Sequence, residues 1–142
     1  MSTQLFALDH LTTTDRDETV ALWTACGLTE PWNDPFGDFD KALETPTSTI
    51  LGLKQDRALI GTVMAGYDGH RGWLYYVAVL PAQQGKDYGR QLVEAGEAWL
   101  LTQNAPKIQL MVRNTNSTVL GFYDALGYKD DDVVVLSKRF TK

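Results

Sequence analysis

Residues 77–92 read Val77-Ala78-Val79-Leu80-Pro81-Ala82-Gln83-Gln84-Gly85-Lys86-Asp87-Tyr88-Gly89-Arg90-Gln91-Leu92. An apolar run typical of a buried strand leads into a short loop with two glycines, and a helix pattern follows. Such a loop presents backbone N–H groups to an anion, and the dipole of the following helix adds to their attraction. The same pattern also occurs in ordinary strand-to-helix connections. These residues alone therefore leave two interpretations open, a cradle for a phosphorylated cofactor and a connection without a ligand.

Regular elements are predicted on both sides of this loop. Trp73–Leu80 is a continuous apolar strand, as expected in the middle of a sheet, and Tyr88–Gln103 is the clearest helix. Two β-rich runs, Thr47–Lys54 and Ala58–Tyr67, have a tight link between them and predict a hairpin before the central strand. A helical crossover returns the chain in the same direction, so the strand predicted at Lys107–Val112 should run parallel to the central strand.

The remaining elements complete a mixed α+β fold. They are the strand Gln4–Leu8, the helix Thr12–Cys26, a short helix Asp38–Leu43, the helix Asn116–Leu126 and a final strand Val133–Phe140. Within the first helix, Asp15 and Glu18 can form a capping pair, and Gly27 is a natural stop. We therefore expect a single domain over residues 1–142, with a mostly antiparallel central sheet and helices on both faces.

Composition and charge limit the classes of function. The chain has 142 residues, a hydrophobic content of 44% and a net charge of −5, and it has no run of Lys and Arg. This balance argues against a nucleic-acid-binding face. The single cysteine, Cys26, excludes an internal disulfide and a cysteine-based metal site, and the two histidines, His10 and His70, are not at metal-ligand spacing.

Targeting and membrane signals are not visible in the sequence. No apolar run approaches the length that spans a membrane. Met1–Gln4 lacks the basic region and apolar core of a signal peptide. We therefore expect a soluble cytoplasmic protein that does not bind membranes.

Aromatic and acidic side chains alternate in the segment Leu28–Phe39, which two prolines interrupt. Trp32 and Asp34 are its central members, and together they would suit an apolar, cationic ligand such as an amine. The alternative is a loop whose aromatic side chains fill the core. The sequence favours neither.

Two motifs together resemble the GNAT acetyltransferases. Gln84-Gly85-Lys86-Asp87-Tyr88-Gly89 is similar to the acetyl-CoA signature of this family, Arg/Gln-x-x-Gly-x-Gly/Ala. Asn116 and the later run Gly121-Phe122-Tyr123-Asp124-Ala125-Leu126-Gly127-Tyr128 resemble its second signature. The order of elements agrees as well, so the resemblance covers nearly the whole chain. The stretches Pro31–Pro35 and Gly66–Gly72 are further similar to a YpeA-like bacterial branch.

The resemblance implies acetyl-CoA as the cofactor, held largely by backbone groups. The implied contacts are with Val77, Ala78, Val79, Gln84, Gly85, Lys86, Asp87, Tyr88, Gly89, Arg90, Asn116 and Tyr123. In the family the sheet separates beside the strand that carries Val77–Val79, and the exposed backbone there pairs with the cofactor. Asp87 departs from the family pattern, because a glycine usually occupies this position. A carboxylate there would repel a pyrophosphate unless it points to solvent or is offset by Lys86 and Arg90.

The implied reaction is direct attack of a primary amine, on a small molecule or peptide, on the acetyl thioester. Tyr123 matches the family's general acid, and its phenol is mostly protonated at neutral pH. Trp32, Asp34 and Tyr76 are the expected acceptor-binding residues. The general base stays open because residues 73–79 contain no carboxylate; the candidates are Asp34, Glu30, Asp68, His70 and a water relay past Tyr75 or Tyr76.

Two other functions remain possible from the sequence. One is a catalytically silent CoA-binding regulatory module, and the other is a phosphate-binding protein unrelated to CoA. Tyr123 and Asn116 count against the regulatory module, and the second GNAT signature counts against the phosphate-binding protein. An exposed final strand could pair between subunits, which favours a homodimer.

Overall fold

The computed structural model of the protein describes residues 4–141. The chain divides after Leu110 into two compact units. The first unit contains a five-stranded sheet with the order β1-β2-β3-β4-β5, made of β1 (Phe6–His10), β2 (Ser48–Gln55), β3 (Ala58–Tyr67), β4 (Gly72–Val79) and β5 (Ile108–Gln109). Strands β1 to β4 pair antiparallel, and β5 runs parallel to β4. The predicted fold class and the predicted strand directions are confirmed.

Three helices cover the two faces of this sheet. Helices α1 (Arg16–Ala25) and α2 (Pro35–Glu44) pack on one face, and α3 (Tyr88–Thr102) packs on the other. Alternate residues of β3 show the division. Thr62 receives a hydrogen bond from Trp23 of α1, whereas a Cβ added to Gly61 would lie 2.6 Å from Leu92 of α3. A side chain at this position would therefore require Leu92 to shift.

The start of the first helix differs from the prediction. The segment begins as a short 3₁₀ helix at Thr13–Asp15, and the capping contact is between the Thr12 N–H and the Asp15 carboxylate at 2.8 Å. Glu18 does not pair with Asp15 in the cap, because its carboxylate accepts the backbone N–H of Leu59 at 3.0 Å. The expected capping pair of Asp15 and Glu18 is therefore wrong. Glu18 instead ties the helix to the start of β3.

Strand β4 contains one extra residue opposite β3. Thr62 pairs with Ala78 and Met64 pairs with Tyr75, so Val63 faces two residues. Tyr76 takes up this bulge in the left-handed backbone region, with φ of 50°. The Thr62 hydroxyl donates to the Tyr76 carbonyl at 2.9 Å and holds the bulge in place.

The second unit contains α4 (Ser117–Ala125), after which Gly127 adopts φ of 93°. The predicted final strand is wrong, because within residues 4–141 no strand follows Gln109. The side chains of residues 133–136 are instead exposed. Valine-rich runs favour a strand only where a partner strand pairs with them, and sequence alone does not supply that partner. No described helix has the length and apolar character needed to cross a membrane.

Candidate active site

The loop between β4 and α3 has an uncapped helix start. A 3₁₀ turn at Pro81–Gln83 follows β4, and then Gly85 and Asp87 adopt φ of 81° and 71°. Asp87 is the N-cap of α3, but its side chain makes no capping hydrogen bond. The first N–H groups of a helix have no acceptor within the helix, so those of α3 are left for an external group. Together with the helix dipole, they fit a pyrophosphate.

The Asp87 carboxylate turns toward Arg90 instead of the helix start. The Arg90 Nε lies 3.0 Å and 2.9 Å from the two carboxylate oxygens, and this hydrogen bonding holds the pKa of Asp87 below its usual value. Arg90 also donates to Glu94 at 2.7 Å. Of the two expected partners, only Arg90 pairs with Asp87, because Lys86 donates to Gln83 at 3.1 Å. Asp87 is the N-cap residue and has positive φ, a conformation that explains why glycine is common here in the family.

The expected separation of the sheet is present beside β4. Only Gly72 and Trp73 pair with β5, so the rest of this edge of β4 is unpaired by β5. The N–H of Leu80 donates to the carbonyl of Ile60 in β3. Successive residues of a strand direct their backbone N–H and C=O groups to opposite sides, so those of Ala78 also face β3 and those of Val79 face the opened edge. There the Val79 carbonyl accepts from Gln84 Nε2 at 3.1 Å and from Cys26 Sγ at 3.3 Å.

Tyr76 joins a partly buried aromatic and acidic cluster on the α1–α2 face. Its ring stacks on Trp23 with centroids 3.8 Å apart and planes 11° apart. Its hydroxyl donates to Asp38 Oδ2 at 2.8 Å. Burial and this hydrogen bond raise the pKa of Tyr76 well above its usual value, and the charge of Asp34 adds to the effect. Tyr76 is therefore a fixed hydroxyl that stays protonated at neutral pH.

A groove of about 380 Å³ opens beside this cluster, between α2 and strands β2 to β4. The residues that line it are Asp38, Lys41, Ala42, Thr45, Ser48, Met64, Ala65, Gly66, Tyr75 and Tyr76. Of the predicted acceptor residues, Tyr76 is among them and Trp32 and Asp34 are not. Asp34 caps α2 by accepting the N–H of Gly37 at 3.1 Å, and Trp32 is half exposed. Asp38 belongs to the predicted aromatic and acidic segment but was not among the predicted acceptor residues; it lies in the first turn of α2, one helical turn after the capping Asp34.

Two candidates for the general base have structural contacts in the turn between β3 and β4. The Asp68 carboxylate accepts the backbone N–H groups of His70 and Arg71 and the indole N–H of Trp73. These hydrogen bonds lower the pKa of Asp68. His70 is exposed, and its backbone carbonyl accepts from the Arg71 guanidinium. The Asp68 side chain and the His70 backbone therefore both make hydrogen bonds that stabilise the turn.

The second signature lies in and after α4. The Asn116 side chain accepts the N–H of Val119 at 3.2 Å and so caps α4. Tyr123 is buried, and its ring contacts Phe122 and Tyr128 edge to face. Burial raises the pKa of Tyr123 to about 12.

Similarity to known proteins covers most of the chain. The model of the acetyltransferase (GNAT) family matches residues 9–128. Acetyltransferase YE1169 of Yersinia enterocolitica is 38% identical over 88% of this chain and 89% of that protein. Acetyltransferase YPTB2753 of Yersinia pseudotuberculosis is similar to the same extent, at 38% over 88% and 89%.

Solved structures share the fold at low sequence identity. An aminoglycoside N-acetyltransferase AAC(6')-Iy in complex with CoA has a TM-score of 0.84 at 16% identity, over 98% of this chain and 97% of that chain. The ribosomal-protein-S18-alanine N-acetyltransferase from Escherichia coli has a TM-score of 0.75 at 21% identity, over 87% and 77%.

The family match confirms the resemblance that residues 84–89 and 116–128 indicate. GNAT acetyltransferases use acetyl-CoA, and the uncapped start of α3 beside the opened edge of β4 fits such a cofactor. The protein is an acetyltransferase that belongs to the GNAT family.

Proposed function

We propose that the protein transfers the acetyl group of acetyl-CoA to a primary amine on a small molecule or peptide. The observation that carries this proposal is the uncapped N-terminus of α3 beside the unpaired edge of β4. When bound, acetyl-CoA supplies an acetyl group activated as a thioester. The amine would attack that group directly, so the enzyme would have to bind both partners at once.

Backbone groups would hold most of the cofactor. The N–H groups of residues 84–90 would bind the pyrophosphate, since those at the start of α3 have no side-chain cap. Val77 and Val79 would pair along the opened edge of β4, while Ala78 turns toward β3. We keep Gln84, Gly85, Lys86, Asp87, Tyr88, Gly89, Arg90, Asn116 and Tyr123 as further contact residues.

The acceptor amine would bind on the α1–α2 face of β4. Tyr76 would contact it directly. Asp34 does not line the groove, but its negative charge acts on Tyr76 and would also attract a cationic acceptor. Trp32 would add an aromatic surface from the preceding loop. Fold relatives include an aminoglycoside N-acetyltransferase and a ribosomal-protein-S18-alanine N-acetyltransferase, so the fold serves acceptors of different size.

Tyr123 would act as the general acid. Its pKa of about 12 keeps the phenol protonated at neutral pH, so it can supply a proton to the leaving sulfur. We propose further that residues 1–142 act as one acetyltransferase domain and that two copies form a homodimer. The family match across residues 9–128 supports the first statement, and the exposed apolar residues 133–136 support the second.

The test combines a binding measurement with a turnover measurement. Acetyl-CoA should raise the unfolding temperature more than adenosine diphosphate does, and at 100 times the dissociation constant it should add about 2.7 kcal/mol of stability. Tyr123→Phe should lower kcat with little change in the acetyl-CoA dissociation constant. Equal loss of both would make Tyr123 structural.

Three results separate the possible functions. Binding with acetylation of an amine supports the enzyme. Binding without turnover over a broad amine panel supports a catalytically silent CoA-binding regulatory module, which the missing carboxylate in β4 favours. If millimolar acetyl-CoA does not raise the stability of the protein, both the enzyme and the CoA-binding regulatory module would be overturned.

A further inference from the structure

We propose that Asp38 and Tyr76 bind the ammonium group of the acceptor, and that this acceptor is a primary amine with one positive charge on an apolar body. The inference rests on the proposed function, because it names the substrate class of the same site. The groove between α2 and strands β2 to β4 supplies the observations that support it.

The Tyr76 hydroxyl is held in a fixed position from both ends of the residue. The backbone sits in the bulge of β4, where its carbonyl accepts from Thr62 at 2.9 Å. The ring stacks on Trp23, whose indole N–H donates to the same Thr62 hydroxyl at 3.0 Å. The hydroxyl therefore loses little freedom when a ligand binds.

Asp38 has acceptor capacity left for a ligand. Among residues 4–141, Tyr76 is the one side chain that hydrogen-bonds its carboxylate, through Oδ2 at 2.8 Å. Tyr76 donates its only proton there, so its oxygen can act only as an acceptor toward a ligand in the groove that Tyr76 lines. A carboxylate and a phenol oxygen side by side match an ammonium group, which has three donors and no acceptor.

The charge of the lining limits the acceptor to a single positive charge. Asp38 is the only carboxylate and Lys41 the only ammonium among the lining residues, and the two lie three positions apart on α2. An amine bound at Asp38 leaves no second carboxylate in this lining for a further ammonium group, and the one other charged group there is the ammonium of Lys41. Polyamines and aminoglycosides are therefore disfavoured.

The remaining lining favours an apolar body on the amine. Ala42, Met64 and Ala65 supply aliphatic surface, and Tyr75 supplies an aromatic ring. The hydroxyls of Thr45 and Ser48 already donate to carbonyls of α2, at 2.7 Å in each case. They are therefore less able to recognise a sugar or another polar body.

The experiment uses calorimetric titration of the full chain without acetyl-CoA. The probe is 2-phenylethylamine; 2-phenylethanol is the uncharged control and spermidine the polycationic control. We expect 2-phenylethylamine to bind more tightly than either control. Asp38→Asn should weaken its binding at least tenfold while leaving 2-phenylethanol unaffected, since only the charged contact is lost.

A matched variant separates the groove from the general charge of α2. Asp40 lies on the same helix, pairs with Arg16 at 3.4 Å and does not line the groove. Asp40→Asn should leave 2-phenylethylamine binding unchanged. Tyr76→Phe keeps the stacked ring and removes one acceptor, so it should weaken binding less than Asp38→Asn and serves as a second variant if Asp38→Asn fails to fold.

Acetyl-CoA titrated into the same samples distinguishes the two proposals. Binding of acetyl-CoA without binding of 2-phenylethylamine would overturn this inference and leave the proposed function standing. Binding of 2-phenylethylamine by a protein that shows no binding of acetyl-CoA would overturn the proposed function. Tighter binding of spermidine would refute an acceptor with one positive charge, and equal effects of Asp38→Asn and Asp40→Asn would refute an amine site at Asp38 and Tyr76.

Discussion

Thr62 connects the two aromatic residues beside the groove, so its hydroxyl is the most informative atom to remove. It is fully buried, accepts the indole N–H of Trp23 at 3.0 Å and donates to the carbonyl of Tyr76 at 2.9 Å. Thr62→Val keeps the shape of the side chain but leaves one buried donor and one buried acceptor without partners. Each unsatisfied group costs about 1–3 kcal/mol, so we expect a loss of about 2–6 kcal/mol in the free energy of unfolding.

Urea denaturation followed by circular dichroism measures this loss. The midpoint should fall while the slope stays constant, as for a change in stability alone. Thr24→Val is the matched control, because Thr24 is exposed and its hydroxyl donates to the Val20 carbonyl at 2.9 Å. This exposed substitution should change the free energy of unfolding by no more than about 0.5 kcal/mol.

A double-mutant cycle tests the assignment to the Trp23 hydrogen bond. Trp23→Phe removes the indole donor, so Thr62→Val in that background should cost about 1–3 kcal/mol less than in the wild type. An equal cost in both backgrounds, or a loss below about 1 kcal/mol in the wild type, would refute the role of the Thr62 hydroxyl in joining Trp23 to the bulge of β4.

Three further predictions concern other parts of the chain. Asp87→Gly should tighten acetyl-CoA binding in calorimetric titration, most at low salt, because glycine accepts the positive φ and the negative charge is removed; unchanged affinity would contradict this. The pKa of Tyr123 is raised from 10 to about 12, so its contribution to stability is complete below pH 10 and is lost as the pH rises toward 12. Tyr123→Phe should therefore flatten the alkaline fall in urea-derived stability, and an identical pH profile would count against burial as the cause. Val134→Lys with Leu136→Lys should convert the proposed homodimer to a monomer in sedimentation velocity, since both side chains are exposed apolar groups; an unaltered dimer would place the interface elsewhere.

Local sequence patterns predicted most of the sheet and the cofactor loop. The hairpin of β2 and β3, the central strand β4 and helix α3 follow from alternation, turn residues and helical spacing, which depend on neighbours in sequence. The parallel direction of β5 follows from the helix before it.

Features that depend on distant residues were not predicted. The apolar run of β4 gives no sign of its extra residue, because the bulge exists only in the register with β3. Asp38 and Tyr76 are 38 positions apart, so their hydrogen bond depends on how α2 packs on the sheet. The final strand was predicted from β-branched residues alone, and the described chain offers it no pairing partner. The left-handed backbone conformation of the N-cap Asp87 was also not predicted. The glycine that is usual at this position in the family was a signal for it, because glycine adopts positive φ readily.

The stack between Trp23 and Tyr76 also gives the protein an optical reporter of its own. Of the four tryptophans, all within residues 4–141, only Trp23 is fully shielded from solvent. A soluble quencher such as iodide should suppress the emission of the more exposed indoles and leave that of Trp23. The residual signal then comes from a ring in contact with Tyr76, whose hydroxyl borders the groove. A ligand that contacts Tyr76 in the groove is therefore expected to change this residual tryptophan fluorescence, which would report its binding without a label.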